Sequence, residues 1–225
     1  MARKDPPAEV SLITGELKNF FNLVAPNGQP IGRAKCAVYA FFDYDGEPIY
    51  IGQTVESLST RIGRHLTGRR SDAVAKFVLD PFEVLEVEVW PLWEAATLPL
   101  PEKRALVSAA EFMVFQNALK ASRFNAVLNE GVIPETATIK LPDSYRRRIV
   151  PEPLYSERKH PDIRIARRSQ TVASLARLIS ERAVDKGLRR VLLTQTKRLE
   201  YLAQQRYNDF ADESLPLDIE TSDDK

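Results

Sequence analysis

The spacing of apolar residues divides the chain into short strands and amphipathic helices. Between Glu9 and Leu23, Val10, Leu12, Ile13, Leu17, Phe20 and Phe21 recur at helical spacing, which predicts a helix ending in the loop Ala25-Pro26-Asn27-Gly28-Gln29-Pro30. Ala37 to Phe42 and Pro48 to Tyr50 are apolar runs separated by Asp43-Tyr44-Asp45-Gly46-Glu47, whose Asp-Gly pair predicts a hairpin turn. Thr54 to Ser59 supplies small hydroxyl residues suited to start a helix. Phe82 to Trp90 alternates as a third strand with its acidic side toward solvent, and Pro91 stops it. Pro101 opens a helix through Lys120, with Leu106, Ala110, Met113, Val114 and Leu119 as its apolar stripe. Prolines 134, 142, 151, 153 and 161 then predict an extended connector. Two further helices are expected over Gln170 to Lys186 and Leu188 to Asn208, hinged at Asp185-Lys186-Gly187.

These elements predict an α/β fold of the α+β kind: a small antiparallel three-stranded sheet flanked by helices, with an additional C-terminal helical region. Five segments follow: an N-terminal helix and loop (1–33), a central domain (34–133), a Pro-rich connector (134–161), a basic helical region (162–210) and an acidic tail (211–225). Apolar residues make up 44% of the 225, enough for a true core. The single cysteine, Cys36, excludes an internal disulfide framework and a cysteine-based zinc cage, so any metal must be held by oxygen. No apolar run approaches the roughly 18 residues of a membrane span, and Met1-Ala2-Arg3-Lys4-Asp5-Pro6 precedes no secretory core. The expectation is a cytoplasmic protein with no membrane partner.

A net charge of +1 conceals a strong asymmetry. From Lys140 to Asp209, 17 cations stand against 8 carboxylates, a net of +9; from Ala211 to Lys225, six carboxylates stand against one lysine, a net of −5. Such a basic half reads as a grip on a phosphate backbone, followed by a disordered acidic tail without aromatics. The candidate contacts are Arg146, Arg147 and Arg148, Arg158 and Lys159, Arg167 and Arg168 on connectors or helix starts, and Arg189 and Arg190 with Lys197 and Arg198 on the last helix. The two helices around Gly187 are compatible with a helix-turn-helix, although the turn and spacing signals are loose.

The residues that carry chemistry lie in the central domain. Tyr39 and Tyr50 have ten residues between them and would each stand on one strand of the predicted hairpin. Arg61, Arg64 and His65 follow at i, i+3 and i+4, one face of the next helix. A lone tyrosine on a strand is an ordinary core aromatic. Two phenols facing a guanidinium and an imidazole in this order point instead to phosphodiester chemistry.

The ordered set Ala37-Val38-Tyr39, Tyr50-Ile51-Gly52, Arg61 and His65, with a distant Glu and an Asn, resembles the GIY-YIG nuclease family over Lys35 to about Val132. The first tripeptide has alanine in place of the family's glycine but keeps its tyrosine. The resemblance implies a metal-dependent DNA endonuclease that hydrolyses phosphodiester bonds. In that reading Tyr39 is the general-base candidate, assisted by His65, because a free phenol titrates near 10 and is almost wholly protonated at neutral pH. Arg61 stabilises charge on the transition state, and Tyr50 orients water, phosphate or Arg61. Glu111 is the oxygen ligand for Mg2+ or another divalent cation such as Mn2+, with Glu102 and Glu130 as competing carboxylates. Asn125, preferred over Asn129, is the amide that braces the site. Arg64, Arg69 and Arg70 would add DNA contacts beside it. A free-standing domain with its own basic extension favours a restriction-like or mobile-element role, with a structure-specific repair nuclease as an alternative, and the oligomeric state stays open, a homodimer included. The rival reading is a non-catalytic nucleic-acid-binding module on the same scaffold.

Overall fold

The computed structural model describes residues 7–66, 78–129 and 131–211. Arg69, Arg70, Glu130 and the acidic tail beyond residue 211, all singled out from the sequence, lie outside them. Helix α1 (Ala8–Phe21) packs Leu17, Phe20 and Phe21 inward. Strands β1 (Ala37–Phe42) and β2 (Pro48–Thr54) form the expected antiparallel hairpin, with Tyr39 opposite Gly52 and Phe41 opposite Tyr50. The turn is tied by Asp43, whose Oδ1 accepts from the amides of Asp45 and Glu47, while Gly46 takes the positive φ of 72° that its lack of Cβ permits.

Ser57 starts helix α2 (Leu58–Leu66) by accepting from the Thr60 amide on its hydroxyl at 3.3 Å. Strand β3 (Glu86–Pro91) pairs with β1, and α3 (Leu100–Ala121) lies across β1 and β2.

The expectation of three strands is corrected: the sheet has four, in the order β2-β1-β3-β4. The fourth, β4 (Tyr145–Arg148), comes from the segment read as an extended connector, which also supplies the short helix α4 (Glu152–Arg158). A four-residue run rich in arginine carries no apolar alternation. It is recruited by charge across the strand pair, because Glu86 and Glu88 on β3 stand opposite Arg148 and Arg146. Arg146 binds Glu86 at 2.5 Å and lies over the Phe42 ring. The acidic side of β3, expected to face solvent, thus meets Arg146, which pairs with both Glu86 and Glu88.

Helix α5 (Pro161–Glu181) begins more than two turns before the expected start, since Pro161 opens the helix at its first position and His160 caps it by accepting from the Asp162 amide. Helix α6 (Lys186–Ala211) takes Gly187 into its first turn, with Asp185 Oδ1 accepting from the Leu188 amide.

Both faces of the sheet are covered. Val38, Ala40 and Ile51 pack with Val107, Ala110 and Val114 of α3. Tyr39, Phe41, Val87 and Val89 pack on the other face with Leu58 and Ile62 of α2 and with Leu175, Leu178, Leu188 and Val191 of α5 and α6. The C-terminal helices therefore share a hydrophobic core with the hairpin that carries both tyrosines.

The same junction buries a charge network. Arg168, 3% exposed, reaches Asp43 at 2.8 Å and Glu83 at 2.7 Å; Arg198 reaches Asp43 at 2.5 Å, and Arg164 forks onto Asp45 at 2.8 and 2.6 Å. Arginine suits this place because its planar fork satisfies two carboxylate oxygens at once. Removing one partner of such a buried set costs on the order of 3–5 kcal/mol.

Candidate active site

Tyr39 is fully buried in the middle of the hairpin, and its phenol oxygen lies 2.8 Å from Nε2 of His65. Nε of Arg61 donates to the same oxygen at 3.2 Å. One turn of α2 thus sets a guanidinium and an imidazole on one phenol, as the i, i+4 spacing predicts. The Tyr50 ring closes the group, 5.3 Å from the His65 ring and 6.3 Å from that of Tyr39.

Gly52 explains why the second tripeptide ends in glycine. It faces Tyr39 across the strand pair, and a Cβ built on it would stand 2.5 Å from both Cζ and the oxygen of that phenol. The phenol reaches His65 and Arg61 only because nothing projects from residue 52.

The electrostatics favour charge on Arg61. Burial works against its guanidinium, but the charge and hydrogen bond of Tyr39, with Tyr50 and Glu111, outweigh that and hold Arg61 above its ordinary value. Glu111, half-buried on α3, behaves differently. Burial pushes its carboxyl up to about 7, against the opposing pull of Arg61.

Burial outweighs the pull of Arg61, and a divalent cation bound there would favour the charged carboxylate further. Among the described residues no three His, Cys, Asp or Glu side chains come together; a lone Glu111 carboxylate would suit only an ion such as Mg2+ that keeps several waters and takes substrate oxygens. Glu102, a competing carboxylate, lies exposed in the first turn of α3.

The bracing amide is Asn129 rather than Asn125. Asn129 Oδ1 accepts from the Ile51 amide at 3.0 Å and its Nδ2 donates to the Ile51 carbonyl at 2.6 Å. Strand β2 is a sheet edge, and Asn129 satisfies both main-chain groups of the residue between Tyr50 and Gly52 as a neighbouring strand would. Asn125 instead adopts φ 49°, the left-handed turn conformation that asparagine tolerates. Both follow the helix in sequence, and only the tertiary pairing distinguishes them.

The arginines expected to grip a phosphate backbone have largely found carboxylates. Arg147 lies 3.9 Å from Glu16, Arg148 2.7 Å from Glu152, Arg158 2.6 Å from Glu9 and Arg167 2.9 Å from Asp80. Arg146 and Arg168 are paired as described, and Arg64 pairs with Glu56. Arg190 donates to the carbonyl of Asn129 at 3.0 Å, so α6 reaches the brace of the second tripeptide. Arg189 and Lys197 are exposed on α6. Two arrangements went unread in the sequence: the Arg190 contact, and a cleft beside Arg61 lined by Arg104 and Ser108.

The structure thus brings the phenol of Tyr39, the guanidinium of Arg61 and the imidazole of His65 together, with Glu111 acting on Arg61 electrostatically. Residues 35–104 match the family model of the GIY-YIG catalytic domain, a family of nucleases that generally use divalent metal ions. The match covers less than half of the chain; it includes both tyrosines, Arg61 and His65 and ends before Glu111 and Asn129. Comparison with curated proteins and with solved structures finds no match.

Proposed function

We propose that the protein is a metal-dependent DNA endonuclease whose site comprises Tyr39, Tyr50, Arg61, His65 and Glu111. The observation that carries this reading is the Tyr39 oxygen held between His65 Nε2 and Arg61 Nε. Arg61 can only donate, so the phenol oxygen accepts from it, and the phenol proton is directed to Nε2 of a neutral His65. The guanidinium stabilises the phenolate that forms when the proton moves to His65, and the phenolate can then take a proton from an attacking water. Arg61 also faces the charge that develops on the phosphoryl oxygens. Asn129 and Gly52 fix the strand on which Tyr50 stands. Glu111 would hold Mg2+ or Mn2+, which when bound polarises a phosphate oxygen and lowers the pKa of bound water.

The finer reading is a restriction-like or mobile-element-associated enzyme acting on DNA in the cytoplasm. Its support is the fusion of α5 and α6 into the core of the catalytic hairpin, with exposed cations such as Arg189 and Lys197 on α6. No helix among the described residues is long and apolar enough to cross a membrane.

The test is incubation of the purified protein with plasmid and with branched DNA, in Mg2+ or in chelator, followed by sequencing of the ends. Tyr39→Phe serves as the comparison protein. Mg2+-dependent cuts in plasmid that Tyr39→Phe does not make are expected. Cleavage of the branched substrate alone would move the assignment to structure-specific repair, and no cleavage of either DNA in Mg2+ would leave the non-catalytic module.

A further inference from the structure

We infer that the cleft beside Arg61 is a second phosphate subsite, with Arg104 as its anchor, that takes a phosphodiester of the same strand next to the one being cut. The inference rests on the nuclease reading for its substrate and on the cleft's own lining for its chemistry. A cavity of about 370 Å³ is walled by Gln53 and Thr54 at the end of β2, by Val55 and Glu56 just after it, by Arg61 of α2, and by Arg104 and Ser108 of α3. Arg104, Ser108 and Glu111 stand at i, i+4 and i+7, so one face of α3 carries all three. At 1.5 Å rise per residue, Arg104 lies about 10 Å along the helix from Glu111, and an arginine side chain spans part of that distance.

The charge balance of this lining is one-sided. Its single carboxylate, Glu56, is engaged by Arg64, and the Thr54 hydroxyl is closed into a local turn with the main chain of Glu56. Arg104 is exposed and, among the described residues, has no carboxylate partner, whereas most arginines of the C-terminal half are paired. Arg61 is shared between the cleft and the Tyr39 oxygen. Two guanidiniums and the Ser108 hydroxyl, walling one concavity that shares Arg61 with the Tyr39 oxygen, suit an extended polyanion rather than an isolated phosphate ester. A substrate held at both points would have its scissile group fixed relative to Tyr39, which is where binding at a neighbouring phosphate aids catalysis.

The test measures binding of the full chain to a short labelled DNA duplex across a salt series in chelator, for wild type, Arg104→Ala and Lys120→Ala. Lys120 is an exposed cation at the far end of the same helix, outside the cleft. Arg104→Ala is expected to flatten the log-log salt slope by about 0.9, the value for one lost phosphate contact, and Lys120→Ala to leave it near wild type. In Mg2+, Arg104→Ala is expected to lower kcat/KM by about tenfold, with Arg104→Lys restoring most of it because a backbone phosphate needs the charge more than the fork. Duplexes carrying a single uncharged methylphosphonate beside the cut bond should abolish the difference between wild type and Arg104→Ala at one flanking position. An unchanged slope, a slope change shared equally by Lys120→Ala, or a cleavage defect that persists on every methylphosphonate duplex overturns the subsite. Should wild type cut no DNA in Mg2+, the nuclease reading falls, and the slopes still decide whether the cleft holds a phosphate.

Discussion

Glu111→Gln removes the one charge at the site that its surroundings oppose. The carboxyl is pushed from 4.5 to about 7 by burial, two to three pKa units, and each unit corresponds to about 1.4 kcal/mol. Full conversion would give about 3 kcal/mol; Glu111 is only half-buried, so solvent screening reduces this to on the order of 1–2 kcal/mol. Its folded-state value is raised, so the carboxyl favours the folded state fully below 4.5, where it is protonated in both states, and that advantage is lost as pH rises through about 7. In metal-free buffer the wild type should therefore fall behind Glu111→Gln as pH rises, with the two equal near pH 4.5 and Glu111→Gln the more stable near pH 8. For a chain of this size the gap amounts to about 3–6 °C in Tm. Thermal unfolding of both proteins across that range is the assay. Mg2+ should raise Tm of the wild type and narrow the gap, because an ion that binds the folded carboxylate stabilises it by mass action, and the variant should lose Mg2+-dependent cleavage while binding DNA within a few-fold. Parallel Tm curves for the two proteins, or an equal Mg2+ effect on both, would refute the account of Glu111.

Gly52→Ala places a Cβ 2.5 Å from the Tyr39 oxygen, so activity on plasmid should fall by about 100-fold with little change in circular dichroism; near-wild-type activity would mean that the phenol does not need this position. Asn129→Ala leaves the Ile51 amide and carbonyl without their bidentate partner and should cost about 1–3 kcal/mol in denaturant unfolding, whereas Asn125→Gly should be close to neutral because its φ of 49° suits glycine; the reverse ranking would return the bracing role to Asn125. A chain ending at Val132 loses Leu175, Leu178, Leu188 and Val191 from the core that holds Tyr39, and all three arginines around Asp43 and Asp45. Such a truncation should show no cooperative thermal transition, and a sharp one with retained cleavage would falsify the shared core.

The order of charges along the chain foretold a basic half, and the ledger of residues was right. Its meaning changed when the partners became visible. Glu9, Glu16, Asp43, Asp45, Asp80, Glu83 and Glu86 of the N-terminal half meet Arg158, Arg147, Arg198, Arg164, Arg167, Arg168 and Arg146 of the C-terminal half. Opposite blocks in one chain pair with each other on folding, so much of the basic half is engaged internally. A count of cations cannot distinguish a grip on DNA from an internal lock, because the distinction lies in distances across 85 or 125 residues of chain.

What the sequence by itself determined is the local chemistry: the hairpin from Asp-Gly and its apolar flanks, the helix that sets Arg61 and His65 one turn apart, and hence a phenol between imidazole and guanidinium. These follow from periods of two and 3.6 residues, which the chain obeys wherever the segment folds. The tertiary structure alone decided the fourth strand, the choice of Asn129 over Asn125, the burial of Arg168, and the cleft at Arg104. Strand β4 has no apolar alternation and is selected by the glutamates it pairs with; Asn129 is selected by an unfilled sheet edge 78 residues earlier. Each depends on a partner remote in sequence, and local periodicity carries no information about which remote group will arrive.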